Sequence, residues 1–377
     1  MSIEKLVDIS RHYGKNPDYV LGGGGNTSWK NGETLIVKGS GLPLSDVDSG
    51  SFVKMDRNAL ARIWEREYPV SGAEREPAVL ADMMAARKPG EEAKRPSVET
   101  LLHEIMPFEF VVHLHPTLVN GLTCSQEGEA AAVEIFRGEA VWIPSINPGY
   151  VLSKNVKTAL DKYSVMRNRK ANIIFLQNHG VFVGGDSIDG IKKTYDDIMQ
   201  AIGSRIKRRP DFSGEEFSSG ETQINTHISG IIGLLAELTG GAASFMRSAE
   251  IAALVKDRAS FYPVSSAFTP DHIVYAGSDP LFAESALQEA ALQEAWKNHA
   301  EKTKKNPKIV AVQGLGVFGA AATEKAAALA LDLFKDAVKV AAYTESFGGP
   351  LFMTRDKIDF INSWEVERFR ASVSART

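Results

Sequence analysis

The stretch at residues 110–116 is the feature that most restricts the fold of this chain. Three apolar residues lead into His113 and His115, which are separated by one leucine, and a proline ends the run. In a β-strand the side chains alternate between two faces, so both imidazoles would point the same way. Two neighbouring imidazoles on one rigid element favour a divalent metal site. The alternative is a pair of partly exposed histidines near a strand end, and these residues alone leave both interpretations open.

Length and charge limit the partners of the chain. Its 377 residues suffice for two or three domains, and a net charge of −4 gives no basis for binding nucleic acid or an acidic membrane. The longest apolar stretch, at residues 231–246, contains Glu237 and several glycines and is not expected to span a bilayer. The single cysteine, Cys124, rules out a disulfide within the chain and favours a reducing compartment. Residues 1–5 lack the features of a signal peptide, so we expect a cytoplasmic protein.

Two loops rich in small residues lie near the N-terminus. One contains a run of four glycines, and the other follows a predicted strand at residues 34–37. Glycines allow a tight bend, and the polar groups beside them can face an anion. Either loop alone could be a turn without a ligand. Together they favour binding of phosphate or another oxyanion by the amides and hydroxyls that follow the four glycines and by the lysine-containing loop at residues 38–41.

A possible carboxylate partner, Glu99, lies 14 residues ahead of His113. The ordinary interpretation makes Ser97 the N-cap of a helix that runs to Ile105 and places Glu99 in its first turn, where the helix dipole favours an anion. The short connection could also bring Glu99 beside the histidine strand, as a metal ligand or a base. These residues by themselves are compatible with both roles.

A third histidine completes a possible metal site. The strand predicted at residues 173–177 leads into an Asn-His-Gly turn that contains His179, and turns between strands often carry functional side chains. With His113 and His115 it would form a three-nitrogen set that suits zinc or another divalent transition metal. A Lewis acid beside a proton-transferring Glu99 suits carbon–carbon cleavage, epimerisation or dehydration next to a polarised carbonyl.

The second half of the chain repeats part of the first. The segment from Ile309 matches the segment from Ile173 at a glutamine, a glycine, a valine and a phenylalanine, and a long helix is predicted after each. In this alignment Leu315 stands at the position of His179. Residues 271–277 align with the histidine strand, where the repeat holds Tyr275 and Gly277 in place of the two histidines.

A polar stretch rich in glycine, serine and glutamate at residues 208–226 is the best candidate for a domain boundary. We therefore predict a catalytic domain at residues 1–210 and a degenerate repeat without metal ligands at residues 225–377. Within the repeat, residues 314–319 fit the G-x-G-x-x-G dinucleotide fingerprint. A strand–turn–strand copy of the His179 region explains these glycines better than NAD binding, because too little chain follows for a doubly wound domain.

Five short motifs occur in order within residues 18–205: Gly-Gly-Asn26-Thr-Ser, Lys38-Gly-Ser-Gly41, Pro96-Ser-Val-Glu99, His113-Leu-His115-Pro and Asn178-His-Gly180. Their order and spacing resemble the class II (metal-dependent) aldolase/adducin-head family. Within that family the chain is most similar to the aldolase region of bifunctional rhamnulose-1-phosphate aldolase/lactaldehyde dehydrogenases. This likeness continues into the second half through residues 345–350.

The resemblance implies a three-layer α/β/α fold with a mixed, largely antiparallel central sheet, here duplicated in tandem. It also implies that the three histidines hold Zn²⁺ or another divalent transition metal and that Glu99 moves a proton at carbon. Family sites form between subunits, so the resemblance implies a homo-oligomer as well as a small-molecule sugar phosphate substrate. The phosphate would be surrounded by Asn26, Thr27, Ser40, Gly41 and Ser97, with Lys38 nearby.

The leading hypothesis is a zinc-dependent aldolase that cleaves a ketose 1-phosphate, such as rhamnulose or fuculose 1-phosphate, to dihydroxyacetone phosphate and an aldehyde. The alternatives are an epimerase, dehydratase or decarboxylase that keeps the metal site, and a non-enzymatic module like the adducin heads. Two features depart from the family pattern. Val98 replaces a second hydroxyl before the glutamate, and the tyrosine that completes family sites has only Tyr150 and Tyr343 as candidates.

Overall fold

The computed structural model describes residues 2–214, 221–284 and 289–366. The chain divides into two compact units. The first comprises residues 1–123, 127–205 and 363–377, and the second comprises residues 124–126 and 206–362. The domain limits at residues 210 and 225 remain predictions, and part of the predicted boundary stretch, residues 215–220, lies outside the described residues, as do residues 367–377 of the predicted repeat.

Among the described residues of the first unit, seven strands form one sheet. They are β1 (Asn26–Lys30), β2 (Thr34–Lys38), β3 (Phe52–Asp56), β4 (Phe110–Leu114), β5 (Val141–Ile143), β6 (Ile173–Leu176) and β7 (Gly180–Gly185). Their order is β3-β2-β1-β4-β7-β6-β5, and only the pair β5 and β6 is parallel. The predicted mixed, largely antiparallel sheet is therefore confirmed.

Helices cover both faces of this sheet. They are α1 (Ser2–Gly14), α2 (Arg57–Ile63), α3 (Gly72–Ala85), α4 (Thr100–Ile105), α5 (Thr117–Thr123), α6 (Gly128–Phe136), α7 (Tyr150–Arg167) and α8 (Ile188–Gly203). On one face, α2, α3, α4 and α7 pack against apolar side chains of the strands. On the other face lie α1, α5, α6 and α8. This arrangement is the predicted three-layer α/β/α fold.

The histidine strand β4 is buried along its whole length because it lies in the middle of the sheet with a neighbour on each side. Its apolar residues face both helical layers: Val111 belongs to the core under α4 and α7, whereas the carbonyl of Val112 accepts a hydrogen bond from the Tyr195 hydroxyl of α8 at 3.0 Å. A strand buried on both faces needs a continuous apolar run, which Phe110, Val111 and Val112 provide. The rigid centre of the fold therefore carries His113.

The second unit contains a four-stranded sheet among its described residues. Its strands are β8 (Ala242–Met246), β9 (Leu281–Ala283), β10 (Ile309–Val312) and β11 (Gly316–Ala321). Its helices are α9 (Glu221–Thr239), α10 (Ala249–Leu254), α11 (Arg258–Phe261), α12 (Glu289–Thr303), α13 (Glu324–Thr344) and α14 (Arg355–Ser363), together with a π-helix at His272–Ala276. In the part of the chain that the structure describes, no helix is both long and apolar enough to cross a membrane.

The order β8-β11-β10-β9 repeats β4-β7-β6-β5 of the first sheet, with two antiparallel pairs followed by a parallel one. The two hairpins also share their register, since Leu176 pairs with Gly180 and Val312 with Gly316. This common arrangement supports the proposed tandem duplication. Residues 314–319 thus lie in the turn and second strand of an antiparallel hairpin, which is not the strand-to-helix loop of a dinucleotide fingerprint.

The alignment of residues 271–277 with the histidine strand is wrong. These residues are apolar and β-branched enough to resemble a strand, but they form the π-helix beside α13, where His272 Nε2 lies 2.9 Å from Asp336 Oδ2. The strand that occupies the position of β4 is β8, in which Phe245 pairs with Phe318 as His113 pairs with Phe182. The second unit therefore places phenylalanine, not Tyr275, at the position of the first metal-site histidine.

Candidate metal and oxyanion site

The three predicted histidines meet at one end of β4. His113 is the fourth residue of the strand, His115 follows directly after it, and His179 lies in the turn between β6 and β7. One ring nitrogen from each histidine lies within 4.8 Å of the other two, and His113 Nε2 is 2.9 Å from His115 Nε2. The predicted convergence of the histidines is therefore present. A trio of imidazole nitrogens at this separation has the spacing that a single divalent ion needs.

Glycines in two of the motifs allow the backbone to approach this cluster. Gly180 lies so close that a Cβ there would be 2.4 Å from the Leu114 carbonyl and 2.9 Å from His115 Cδ2. Gly25 has φ +65°, and a Cβ on it would be 2.9 Å from the His113 carbonyl. A larger residue at either position would displace the histidine strand.

The orientation of the His113 ring is fixed on its Nδ1 side, which faces away from the other histidines. Its Nδ1 lies 3.1 Å from the carbonyl oxygen of Val181, which can only accept a hydrogen bond, so Nδ1 carries the proton and Nε2 offers a lone pair to the cluster. The ring also stacks on Phe182, with centroids 3.9 Å apart. His113 is completely buried. Such a histidine has one available tautomer and one available ring plane.

Glu99 lies beside the histidines, a position that the sequence alone did not decide. Its Oε1 is 3.4 Å from His113 Nε2 and 3.5 Å from His179 Nε2, and this buried oxygen has no hydrogen-bond partner. Its Oε2 accepts a hydrogen bond from Asn26 Nδ2 at 2.7 Å. A buried carboxylate oxygen without a donor is costly unless a cation neutralises it. The three imidazoles and this oxygen therefore fit a divalent metal.

The second predicted anion loop and the segment before Glu99 are joined by backbone hydrogen bonds. The Ser97 amide donates to the Lys38 carbonyl at 3.1 Å, and the Ser40 amide donates to the Arg95 carbonyl at 2.9 Å. Asn26 connects this group to the carboxylate, because its Nδ2 lies 3.1 Å from Ser97 Oγ as well as near Glu99. The structure therefore brings these motifs together around the side chain of Asn26. Gly41 follows in the same loop with φ +88°.

Two predictions in this region need correction. Thr27 pairs with Val112, on the opposite face of the sheet from Asn26 and His113, and its hydroxyl lies 2.7 Å from Ser10 Oγ of α1. The Thr27 side chain is thus not part of the site. Ser97 is not an N-cap: α4 begins at Thr100 with Glu99 as the preceding residue, and the Ser97 hydroxyl instead accepts from the Glu99 amide at 3.2 Å.

The predicted anion-binding lysine, Lys38, is almost completely buried, and its Nζ donates to the Gly39 carbonyl at 3.1 Å.

The Val98 side chain lines a small, mainly apolar cavity with Leu101, Met83 and Trp364. Tyr150 lines the same cavity and stacks on Trp64, with ring centroids 5.7 Å apart, and Tyr343 belongs to α13 of the second unit. Tyr150 therefore lies outside the group formed by the histidines and Glu99.

Sequence reasoning missed His103, which is completely buried behind Asn26. Its Nε2 contacts Asn26 Oδ1, and its Nδ1 lies 2.7 Å from Ser28 Oγ. Burial, followed by the charges of Lys30 and Lys38, lowers the pKa of His103 well below its ordinary 6.5. The available signal was its spacing, since a residue four positions after Glu99 lies one helical turn away from it.

Lys30 contacts His103 and makes the stability of the protein depend on pH. Its Nζ donates to the His103 carbonyl, and burial lowers the pKa of Lys30 to about 8 from 10.5. Between these values the unfolded chain binds more protons than the folded one, so the free energy of unfolding rises with pH.

We therefore expect the stability advantage of the wild type over Lys30→Met to grow between about pH 7.5 and about pH 9.5, by on the order of 2 kcal/mol. Methionine preserves the apolar stem but cannot titrate. Denaturant unfolding of both proteins across this range measures the difference. A difference that stays constant with pH would contradict the depressed lysine pKa.

The family model described as "Class II Aldolase and Adducin N-terminal domain" matches residues 4–200. A Bacillus subtilis (strain 168) protein named "Uncharacterized oxidoreductase YuxG" is 27% identical over 301 residues, which are 75% of this chain and 42% of that protein. The chain thus spans less than half the length of this curated relative.

Two solved structures are also similar. The N-terminal class II aldolase domain of a conserved protein from Thermoplasma acidophilum has 29% sequence identity and a TM-score of 0.46, over 55% of this chain and 94% of that chain. An L-fuculose 1-phosphate aldolase has 16% identity and a TM-score of 0.36, over 54% of this chain and 83% of that chain.

Proposed function

Because the chain belongs to the class II aldolase and adducin N-terminal domain family, we propose that its first unit is a metal-dependent aldolase acting on a ketose 1-phosphate such as rhamnulose or fuculose 1-phosphate. The products would be dihydroxyacetone phosphate and an aldehyde. The observation that supports this proposal most is the position of Glu99, whose unpartnered Oε1 lies within 3.5 Å of the Nε2 atoms of His113 and His179.

The proposed site assigns zinc, or another divalent transition metal, to His113, His115 and His179, where it would act as a Lewis acid toward carbonyl and hydroxyl oxygens of the substrate. The chain's own residues supply the remaining chemistry. Glu99 is close enough to this position to carry a proton to or from the carbon next to the carbonyl. The Val181 carbonyl holds the His113 imidazole in the tautomer whose Nε2 can bind the metal.

In the direction of cleavage, the bond between the carbon beside the carbonyl and the next carbon breaks. The hydroxyl on the second carbon loses its proton to the ionised carboxylate of Glu99 and becomes the aldehyde, and Glu99 then returns this proton to the first carbon. We propose that the phosphate is bound by the amide of Asn26, the hydroxyls of Ser40 and Ser97 and the backbone of Gly41, near the charge of Lys38. Several neutral hydrogen-bond donors together with one positively charged lysine suit the binding of an oxyanion.

The test is incubation of the purified protein with a panel of ketose 1-phosphates after metal removal and after zinc addition. We expect triose phosphate from at least one substrate, its loss with chelator and its return with zinc. No triose phosphate at full metal occupancy would contradict the aldolase assignment. Product mass separates the alternatives, because an epimer keeps the mass of the substrate whereas a dehydratase removes water.

We also propose that the protein works as a homo-oligomer in the cytoplasm, because tyrosines from a neighbouring subunit complete sites in this family and Tyr150 stacks on Trp64 instead of joining the group around Glu99. Sedimentation at assay concentration measures this. A monomeric profile with full activity would contradict the need for a second chain.

A further inference from the structure

We propose that His103 is a positioning residue, which fixes the amide of Asn26 and through it places the carboxylate of Glu99. The inference rests on the proposed function for its kinetic consequence only. It starts from two of the contacts of the Asn26 side chain: Oδ1 with His103 Nε2, and Nδ2 with Glu99 Oε2 at 2.7 Å. The His103 imidazole contacts Asn26, Ser28 and Phe182, and of these three side chains Asn26 is the one that hydrogen-bonds to the Glu99 carboxylate.

The chemistry of the partners gives this network one direction. An ionised carboxylate only accepts hydrogen bonds, so the Asn26 end that faces Glu99 must be the NH₂ group, which leaves the amide oxygen toward His103. That oxygen also only accepts, so His103 Nε2 must carry the proton and Nδ1 must be bare. The Ser28 hydroxyl, 2.7 Å from Nδ1, then donates. Hydrogen bonds run from Ser28 through His103 and Asn26 to Glu99.

Several contacts hold His103 in this position. Its backbone amide donates to the Glu99 carbonyl at 3.1 Å, so both residues belong to one turn at the start of α4. Lys30 Nζ donates to its carbonyl oxygen, and its ring meets Phe182 edge-on with centroids 5.5 Å apart. Because Phe182 also stacks on His113, the imidazole has little freedom to move away from Asn26.

Without the His103 donor, the Asn26 amide can rotate by half a turn. Its oxygen would then face Glu99 Oε2, and two acceptors at hydrogen-bond distance repel each other. The carboxylate would move away from its place near His113 and His179. Loss of such an outer-shell partner typically costs about 10- to 100-fold in metal affinity or activity.

Two amide substitutions of similar chemistry separate positioning from mere packing. The side chain of His103→Gln can place an N–H near the position of Nε2, whereas the side chain of His103→Asn ends near the position of Nδ1 and does not reach Asn26. We expect kcat to fall about 10- to 100-fold in His103→Asn, and we expect His103→Gln to restore most of the loss. Equal kcat values for the two variants would overturn the proposal.

The route through Asn26 is tested by combining His103→Asn with Asn26→Ala. If His103 acts through Asn26, the double variant is no slower than Asn26→Ala alone. Independent, multiplied losses would contradict this route. The matched control is His272→Gln, which alters a buried histidine that is paired with a carboxylate in the second unit. We expect this control to keep wild-type kcat.

Two readouts need no substrate and separate this inference from the aldolase assignment. Nitrogen-15 NMR of the imidazoles, with His103 assigned from its absence in His103→Gln, should show the Nε2–H tautomer. Zinc affinity should fall in His103→Asn but not in His103→Gln, by the same factor of about 10 to 100. A wild type that cleaves no ketose phosphate but passes both tests would refute the aldolase alone. An Nδ1–H tautomer, or equal zinc affinities, would refute the role of His103.

Discussion

Replacing His115 by alanine is expected to remove the bound metal and abolish the activity. His115 is one of three imidazoles whose nitrogens lie within 4.8 Å of one another. Losing one of three ligands should weaken zinc binding on the order of 10³-fold, because each ligand contributes several kcal/mol of the total. His115 follows the end of β4 and is slightly exposed. Its truncation should therefore disturb the fold less than a change at the fully buried His113.

Metal content after dialysis and the rate of triose phosphate release measure this effect, with circular dichroism to check the fold. The second unit provides a control. Leu315 stands in the hairpin turn that corresponds to the position of His179, so Leu315→Met should leave metal content unaltered. A folded His115→Ala protein that still binds zinc and cleaves substrate would contradict the ligand assignment.

Replacing Glu99 by glutamine should lower kcat by about 10²- to 10⁴-fold, the range that proton transfer by a positioned side chain contributes. Glutamine keeps the size of the side chain and can still accept from Asn26 Nδ2, but it cannot carry the proton. The three imidazoles remain, so zinc should still bind, although more weakly because the negative charge 3.4 Å from His113 Nε2 is lost. Activity, rather than metal content, should therefore show the larger change.

Glu104 provides the matched control, because it lies in α4, the helix that Glu99 directly precedes. It is mostly buried and is paired with Arg57 at 2.8 Å, and burial raises the pKa of its carboxyl group. Glu104→Gln removes an equivalent charge away from the histidines and should keep both kcat and zinc affinity near the wild type. Single-turnover rates at saturating zinc compare the two variants. Wild-type turnover in Glu99→Gln would exclude Glu99 as the acid or base.

Local patterns determined several features of the site correctly. Alternation along a strand places His113 and His115 on one face, and the apolar run before them indicates a strand buried on both sides; the structure has both. The same alternation could have excluded Thr27, because it follows Asn26 directly. The error arose because the loop was expected to continue beyond Asn26, whereas β1 begins at that residue. A strand boundary that differs by a few residues changes which side chains share a face.

Other features could not be read from local patterns. Residues 272–276 have the composition of a strand, yet packing against α13 makes them a π-helix. The role of Glu99 was ambiguous, because a carboxylate next to a helix start satisfies the dipole as well as a metal site. His103 drew no attention, since its partners Asn26 and Ser28 are separated from it by 77 and 75 residues in the sequence.

The sequence by itself therefore determined the three histidines, the family and the shared face of His113 and His115, because these depend on residue type and on the two-residue period of a strand. Only the tertiary structure decided that Glu99 faces the histidines, that the Thr27 hydroxyl faces α1, and that His103 lies behind Asn26. The physical reason is that such contacts depend on how β1, β4 and α4 pack together, which no short segment specifies on its own.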